Sequence, residues 1–146
     1  MATSSSLPSS NSSALDLGIL FLRVGCGLPF FYHGSAILFG AFGGPGPVHF
    51  AQIMRAPAII GYLVGLAQFA GSIAILSGAF LRVGAICTTI VMLGAILLVH
   101  ISHGYGITHN GMEFALTELL LSLALLCTGA GRYSLGRILP GSLQKC

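Results

Sequence analysis

Apolar residues run almost without interruption through four stretches of the chain, about residues 15–39, 57–80, 83–101 and 112–128. Polar and turn-forming residues are confined to the junctions between them. A run of about 20 apolar residues crosses a hydrocarbon core of roughly 30 Å as a helix. Lipid offers no partner for open backbone groups, so each run predicts a helix and not an open sheet. The short alternating strands of a membrane barrel are missing. The junctions fit this reading. The first is Gly40-Ala-Phe-Gly-Gly-Pro-Gly-Pro47, a loop by its glycines and prolines. The second is a tight turn at Leu81-Arg82. The third runs from His100 to Glu113. The pattern predicts an all-α integral membrane four-helix bundle over residues 15–139, with tails at 1–14 and 140–146.

Composition strengthens the membrane reading. The chain has 146 residues, 55% hydrophobic and 6% charged, against about 25% charged in a soluble domain. Such a chain cannot cover a water-facing surface with polar groups. The formal net charge of +3 is too small and dispersed for a nucleic-acid footprint. Residues 1–14 are Ser-rich without Lys or Arg, unlike the basic start of a secretory leader, and are expected to form a disordered tail. Arg82, Arg132, Arg137 and Lys145 fall on one side of a four-span topology and Arg55 on the other. The positive-inside rule then makes both termini cytoplasmic, in a multi-pass protein of the cell (inner) membrane. Cys26, Cys87 and Cys127 fall in apolar runs and read as buried free thiols, because free Cys behaves as a small hydrophobe. Gly61-xxx-Gly65 and Ala67-xxx-Gly71 place small residues one turn apart, a device for close helix packing.

Charge inside the apolar runs calls for a partner. Arg23 lies roughly 10 Å into the first helix at 1.5 Å per residue. An intramembrane Arg costs at least about 2.5 kcal/mol on insertion scales, so it snorkels or pairs. Gln68 falls near mid-membrane and Glu118 nearer the external side, depths that allow a polar ladder of Arg23, Gln68 and Glu118. The external junction gathers the chemistry. His33 is in the outer half of the first helix, His100 and His103 share a face of the third, and Glu113 starts the fourth. These four are the candidate catalytic residues. Arg23, Tyr105, Gln68 and Glu118 are the candidate cofactor-binding residues. Three readings stay open: His with carboxylate binds a transition metal, imidazoles exchange protons with a quinone, or the histidines cap helix ends at the interface. No haem CxxCH and no iron–sulfur spacing is present.

Several ordered motifs are similar to those of the DoxX family of small four-helix membrane proteins. They are Leu22-Arg23, His33-Gly34, Phe42-Gly-Gly-Pro-Gly46, Leu81-Arg82, His100-xx-His103-Gly104, Gly111-Met-Glu113 and Gly129-x-Gly131-Arg-Tyr-Ser134-Leu135. The resemblance implies a redox-associated membrane subunit. DoxD-related members belong to thiosulfate:quinone oxidoreductase, which passes electrons from thiosulfate to membrane quinone. It also marks departures: Ile37 stands where members often carry Lys, Gln68 where they often carry Glu, and Gly136 where the closing Ser-Leu-Asp has its acid. The expected function is a membrane redox subunit that takes electrons from a reduced sulfur compound or a partner protein to quinone. The alternative is a non-catalytic structural or anchoring subunit of a larger membrane complex. Expected partners are lipids and other membrane or redox subunits, not nucleic acid. A transporter is the weakest reading, because no internal repeat is visible.

Overall fold

The computed structural model describes residues 10–138. Five helices account for the fold: α1 (Ser10–Phe39), α2 (Gly46–Ile53), α3 (Ala58–Ser77), α4 (Leu81–Ala95) and α5 (Glu113–Thr128). There is no sheet among the described residues. α4 does not stop at Ala95. Its bonding widens over Ile96–His100 and then tightens over Ile101–His103, so the rod runs to the histidine junction. Three helices are long and apolar enough to cross a membrane: Ser12–Phe39, Ala58–Ser77 and Leu81–His103. α5 has 16 residues, about 24 Å of helix.

The predicted runs therefore become helices with shifted ends. α1 starts at Ser10, so residues 10–14 are helical where a tail was expected; residues 1–9 and 139–146 lie outside the described residues. The predicted loop at 40–47 is followed by α2, which periodicity over so short a stretch does not reveal. The turn between α3 and α4 falls at Gly78-Ala79-Phe80, just before Leu81-Arg82. Gly78 and Phe80 both take left-handed backbone there, at φ 73° and 56°.

α1 packs mainly on α3, α3 on α4, and α4 on α5, which makes successive long helices antiparallel neighbours. Small residues set the spacing. A Cβ on Gly34 would lie 2.5 Å from the Phe69 nitrogen, so α1 and α3 touch backbone to backbone. Gly71 and Gly84 bring α3 and α4 together in the same way. The small positions on α3 serve three partners. Gly61 lies under Pro47 of α2, Gly65 against Ile37 and Leu38 of α1, and Gly71 against α4. No hydrophobic drive pulls helices together in lipid, so this close approach is the main source of their attraction. Cys26, Phe30, Ile75, Leu81, Ala85, Met92, Leu119 and Leu125 fill the centre. The outward faces carry Leu63, Leu66 and Ile73 of α3, Ile86 and Ile90 of α4, and Leu97 of the widened stretch after it, all exposed. That inversion, apolar outside and polar groups sealed within, suits a lipid solvent.

The α1–α3 contact supplies a paired test. Gly34→Ala should destabilise the purified protein by about 1–3 kcal/mol through overpacking against immovable backbone. Gly25 has open space beside it. Gly25→Ala should be neutral or stabilising by up to about 1 kcal/mol through helix propensity. Thermal unfolding in one detergent checks both, and equal effects would contradict the packing described.

Candidate functional site

The antiparallel arrangement brings the end of α1, all of α2, the end of the α4 rod and the start of α5 to one end of the bundle. All five histidines of the sequence lie there. Contact between the His33 and Phe114 rings, 6.0 Å apart, ties α1 to α5 at this level.

Most of these groups are engaged by their own loop. His100 Nδ1 lies 2.7 Å from the Asn110 carbonyl oxygen and His103 Nδ1 lies 2.8 Å from that of Val99. A carbonyl only accepts, so both rings donate from Nδ1, and the neutral form of each has its lone pair on Nε2. His109 Nδ1 meets Thr108 Oγ1 at 3.0 Å, and His49 Nδ1 meets Gln52 Oε1 at 3.4 Å. Glu113 does not face the histidines. Its Oε2 accepts from the Ile107 amide at 3.0 Å and so closes the loop onto the first turn of α5. Tyr105 is exposed, and its carbonyl accepts from the Glu113 amide at 2.9 Å. Among the described residues, no three His, Cys, Asp or Glu side chains come together as a metal-binding group.

His33 differs from the other four. Its ring makes no hydrogen bond among the described residues. It stands edge-on to Tyr32, with centroids 5.3 Å apart, and Tyr32 stacks on Phe42 at 4.9 Å. Phe114 is the second ring in contact with it. The result is an exposed imidazole with uncommitted nitrogens beside two aromatic rings, near the rim of the apolar bundle. Either nitrogen is free to carry the proton and offer it to a ligand oxygen.

The predicted ladder residues are all buried: Arg23 at 1%, Gln68 at 5% and Glu118 at 3% exposure. They do not bond to one another. Gln68 lies level with Gly34 on α1, one turn along α3 from Gly65, which packs against Ile37. Ile37 and Gln68 are thus close along the α1–α3 seam. Glu118 faces Cys26, which approaches Ser122 at 3.6 Å, and Ser122 meets Thr88 at 2.9 Å. This polar seam joins α1, α5 and α4. Sequence alone does not show it, because Ser, Thr and Cys inside apolar runs read as ordinary helix positions. Of the three described thiols, Cys26 is buried, Cys87 half-buried and Cys127 exposed.

Arg23 has a different role at the opposite end. Its Nε donates to the Ile75 carbonyl at 2.8 Å, Nη2 to Leu76 at 2.5 Å, and Nη1 to Ala130 at 3.1 Å and to Tyr133. Ile75 and Leu76 are in the last turn of α3, where carbonyls lack helical partners and the helix dipole is negative. The segment after α5 completes the cage. Ser134 Oγ donates to the Gly78 carbonyl and accepts from the Gly136 amide, both at 3.0 Å. Asp16 accepts from the Arg132 amide at 2.8 Å. Arg23 therefore neither snorkels nor needs a carboxylate. It fastens three chain segments with one guanidinium.

The DoxX family model matches residues 18–101. The chain belongs to the DoxX family. It is also similar to the Bacillus subtilis (strain 168) protein named "Putative oxidoreductase CatD", with 25% identity over 119 residues that cover 82% of this chain and 84% of the relative. No solved structure matches the chain. This DoxX protein is accordingly a membrane protein. Arg23, His33, Gln68 and His100 lie within the matched stretch, whereas His103, Tyr105, Glu113 and Glu118 lie beyond it. The Leu22-Arg23 and Gly129–Leu135 motifs, far apart in sequence, are the two halves of the carbonyl cage.

The cage makes a local prediction. Ser134→Ala removes two hydrogen bonds and leaves a half-buried carbonyl unmet, so it should lower the stability of this DoxX protein by about 1–2 kcal/mol. Ser102→Ala, at an exposed site of the histidine end, should stay within about 0.5 kcal/mol of wild type. Unfolding midpoints measured side by side decide it, and a silent Ser134→Ala contradicts the cage.

Proposed function

We propose that this DoxX protein is a redox-associated subunit of the cell (inner) membrane that receives a quinone ring at its histidine end. The observation that carries the reading is His33. A quinone carbonyl requires a hydrogen-bond donor beside a surface its flat ring can pack on. His33 supplies a free imidazole with Tyr32 and Phe114 beside it and Phe42 stacked on Tyr32. His100 and His103 already spend their Nδ1 protons on carbonyls. In their neutral form they accept and do not donate, so they suit proton uptake from a reduced carrier better than binding of an oxidised one. An imidazole near its neutral-pH titration range can follow a two-proton carrier. The relative's name as an oxidoreductase supports redox work. The electrons come from a reduced sulfur compound or a partner protein, because no side chain here is an electron carrier. In this reading α5 is the fourth span, shorter than the other three, with Leu120 and Leu123 facing lipid. Arg82, Arg132 and Arg137 then mark the cytoplasmic side, together with both termini.

A second reading, a non-catalytic anchoring subunit, is favoured by the engagement of Arg23, His100, His103 and Glu113 in internal bonds. These residues hold loops and helix ends whether or not a carrier binds.

A water-soluble quinone analogue, titrated into purified protein, separates the two. A ligand at about 100 times its Kd adds roughly 2.7 kcal/mol to the folded state, which at this size raises the melting temperature by roughly 5 °C or more. The shift should vanish in His33→Ala and persist in His100→Ala. No shift at saturation removes the quinone site. Recovery of a stable complex from native membranes, active with His33→Ala, would establish the anchoring role instead.

A further inference from the structure

Glu118 is the chemical oddity of the bundle interior. It is 3% exposed, and its Oε2 is fully buried with no hydrogen-bond partner. A charged carboxylate in such a place requires donors or a counter-ion. Oε2 meets neither, and the hydroxyls of the adjoining seam are committed elsewhere. Thr88 Oγ1 lies 3.1 Å from the Ala85 carbonyl oxygen, which only accepts, so the Thr88 hydroxyl donates there. Its one proton is then spent. Ser122 Oγ, 2.9 Å away, must donate to Thr88 Oγ1. The Cys26 thiol lies 3.6 Å from Ser122 Oγ and adjoins the Glu118 carboxyl. Both hydroxyl protons of the seam are thus committed away from Glu118. Arg23, the one guanidinium on α1, is committed to carbonyls of α3 and the segment after α5, and His33 lies toward the histidine end beside Tyr32 and Phe114. The side chain beside Glu118 from a packed helix is the Cys26 thiol, and no cation acts on the carboxyl.

We propose that Glu118 is a proton-binding site inside the bundle, held as the neutral carboxylic acid because its buried Oε2 meets no donor and no counter-ion. The ligand of this site is a proton, and its Oε2 is left as a single open acceptor. The proposal does not depend on what the histidine end binds. Being a neutral acid in apolar surroundings, Glu118 is also the group that a lipophilic carbodiimide attacks: the acid adds across one C=N bond, its proton passes to nitrogen, and no leaving group is lost.

The sequence makes the test clean, because Asp16, Glu113 and Glu118 are its only acidic side chains. Asp16 and Glu113 are partly exposed and accept backbone amide bonds as carboxylates. Infrared spectra of the full chain at neutral pH should show one protonated-carboxyl C=O band that moves on transfer to D2O. The band should be absent from Glu118→Gln and displaced in Cys26→Ser. Treatment of wild type with dicyclohexylcarbodiimide, followed by peptide mass mapping, should add one reagent mass at Glu118 and none at Asp16 or Glu113. This second measurement needs no variant and stands if Glu118→Gln fails to fold. Wild type without the band, a band unchanged in Glu118→Gln, or no adduct at Glu118 would overturn the proposal.

Discussion

One guanidinium ties the fold together. A lone Arg buried in apolar surroundings is expensive unless its donors are met, and unpaired helix-terminal carbonyls are expensive for the same reason. Arg23 meets both needs at once. Its three nitrogens reach the last turn of α3 and the segment after α5. The negative end of α3 and carbonyls of the segment after α5 thus surround a single positive charge. The result is a counter-charge made of backbone and not of side-chain acid. An Arg–carboxylate pair would add a second ion to desolvate. Carbonyls are present in any case, at helix ends that must be satisfied somehow.

Fixing one end leaves the other to differ. At the Arg23 end the chain is cross-linked through backbone groups, and Gly136 sits so close to the Gly78 carbonyl that a Cβ would lie 2.8 Å from it. At the histidine end the elements are short, the bonds are local, and rings replace cross-links. Tyr32 and Phe114 adjoin His33 without satisfying its nitrogens. α4 reaches this end through a widened stretch, Ile96–His100, a departure from regular helix of the kind often found at functional sites. Between the ends runs the glycine-spaced α1–α3–α4 contact, with the thiol–hydroxyl seam beside it. The architecture separates what holds the molecule from what is available for chemistry.

Much of this was legible in the sequence, for reasons that vary by element. The helices were, because lipid demands long apolar runs and closed backbone bonding. The gathering of histidines at one junction was, because antiparallel spans bring alternate junctions to one end. α2 was not, since eight residues give no reliable period beside a Gly-Pro loop. The partner of Arg23 was not, because carbonyls carry no residue identity and any helix end could supply them. The polar ladder drawn from depth alone placed Arg23, Gln68 and Glu118 inside correctly, but depth does not fix azimuth, and the three reach different neighbours. The seam of Cys26, Ser122 and Thr88 was invisible because each residue is ordinary in a membrane helix; only their meeting is informative.

The account depends most on Arg23 as the fastening between α3 and the segment after α5. Hydrogen exchange read by mass spectrometry, comparing wild type with Arg23→Lys in the same detergent, addresses it directly. A lysine offers one nitrogen and cannot span carbonyls from both segments. Exchange should accelerate at the end of α3, through Gly78, and across residues 129–138, while residues 104–112 at the histidine end keep their wild-type rates. Unchanged exchange at both segments, or an equal rise everywhere, would contradict the claim that one guanidinium holds that end closed.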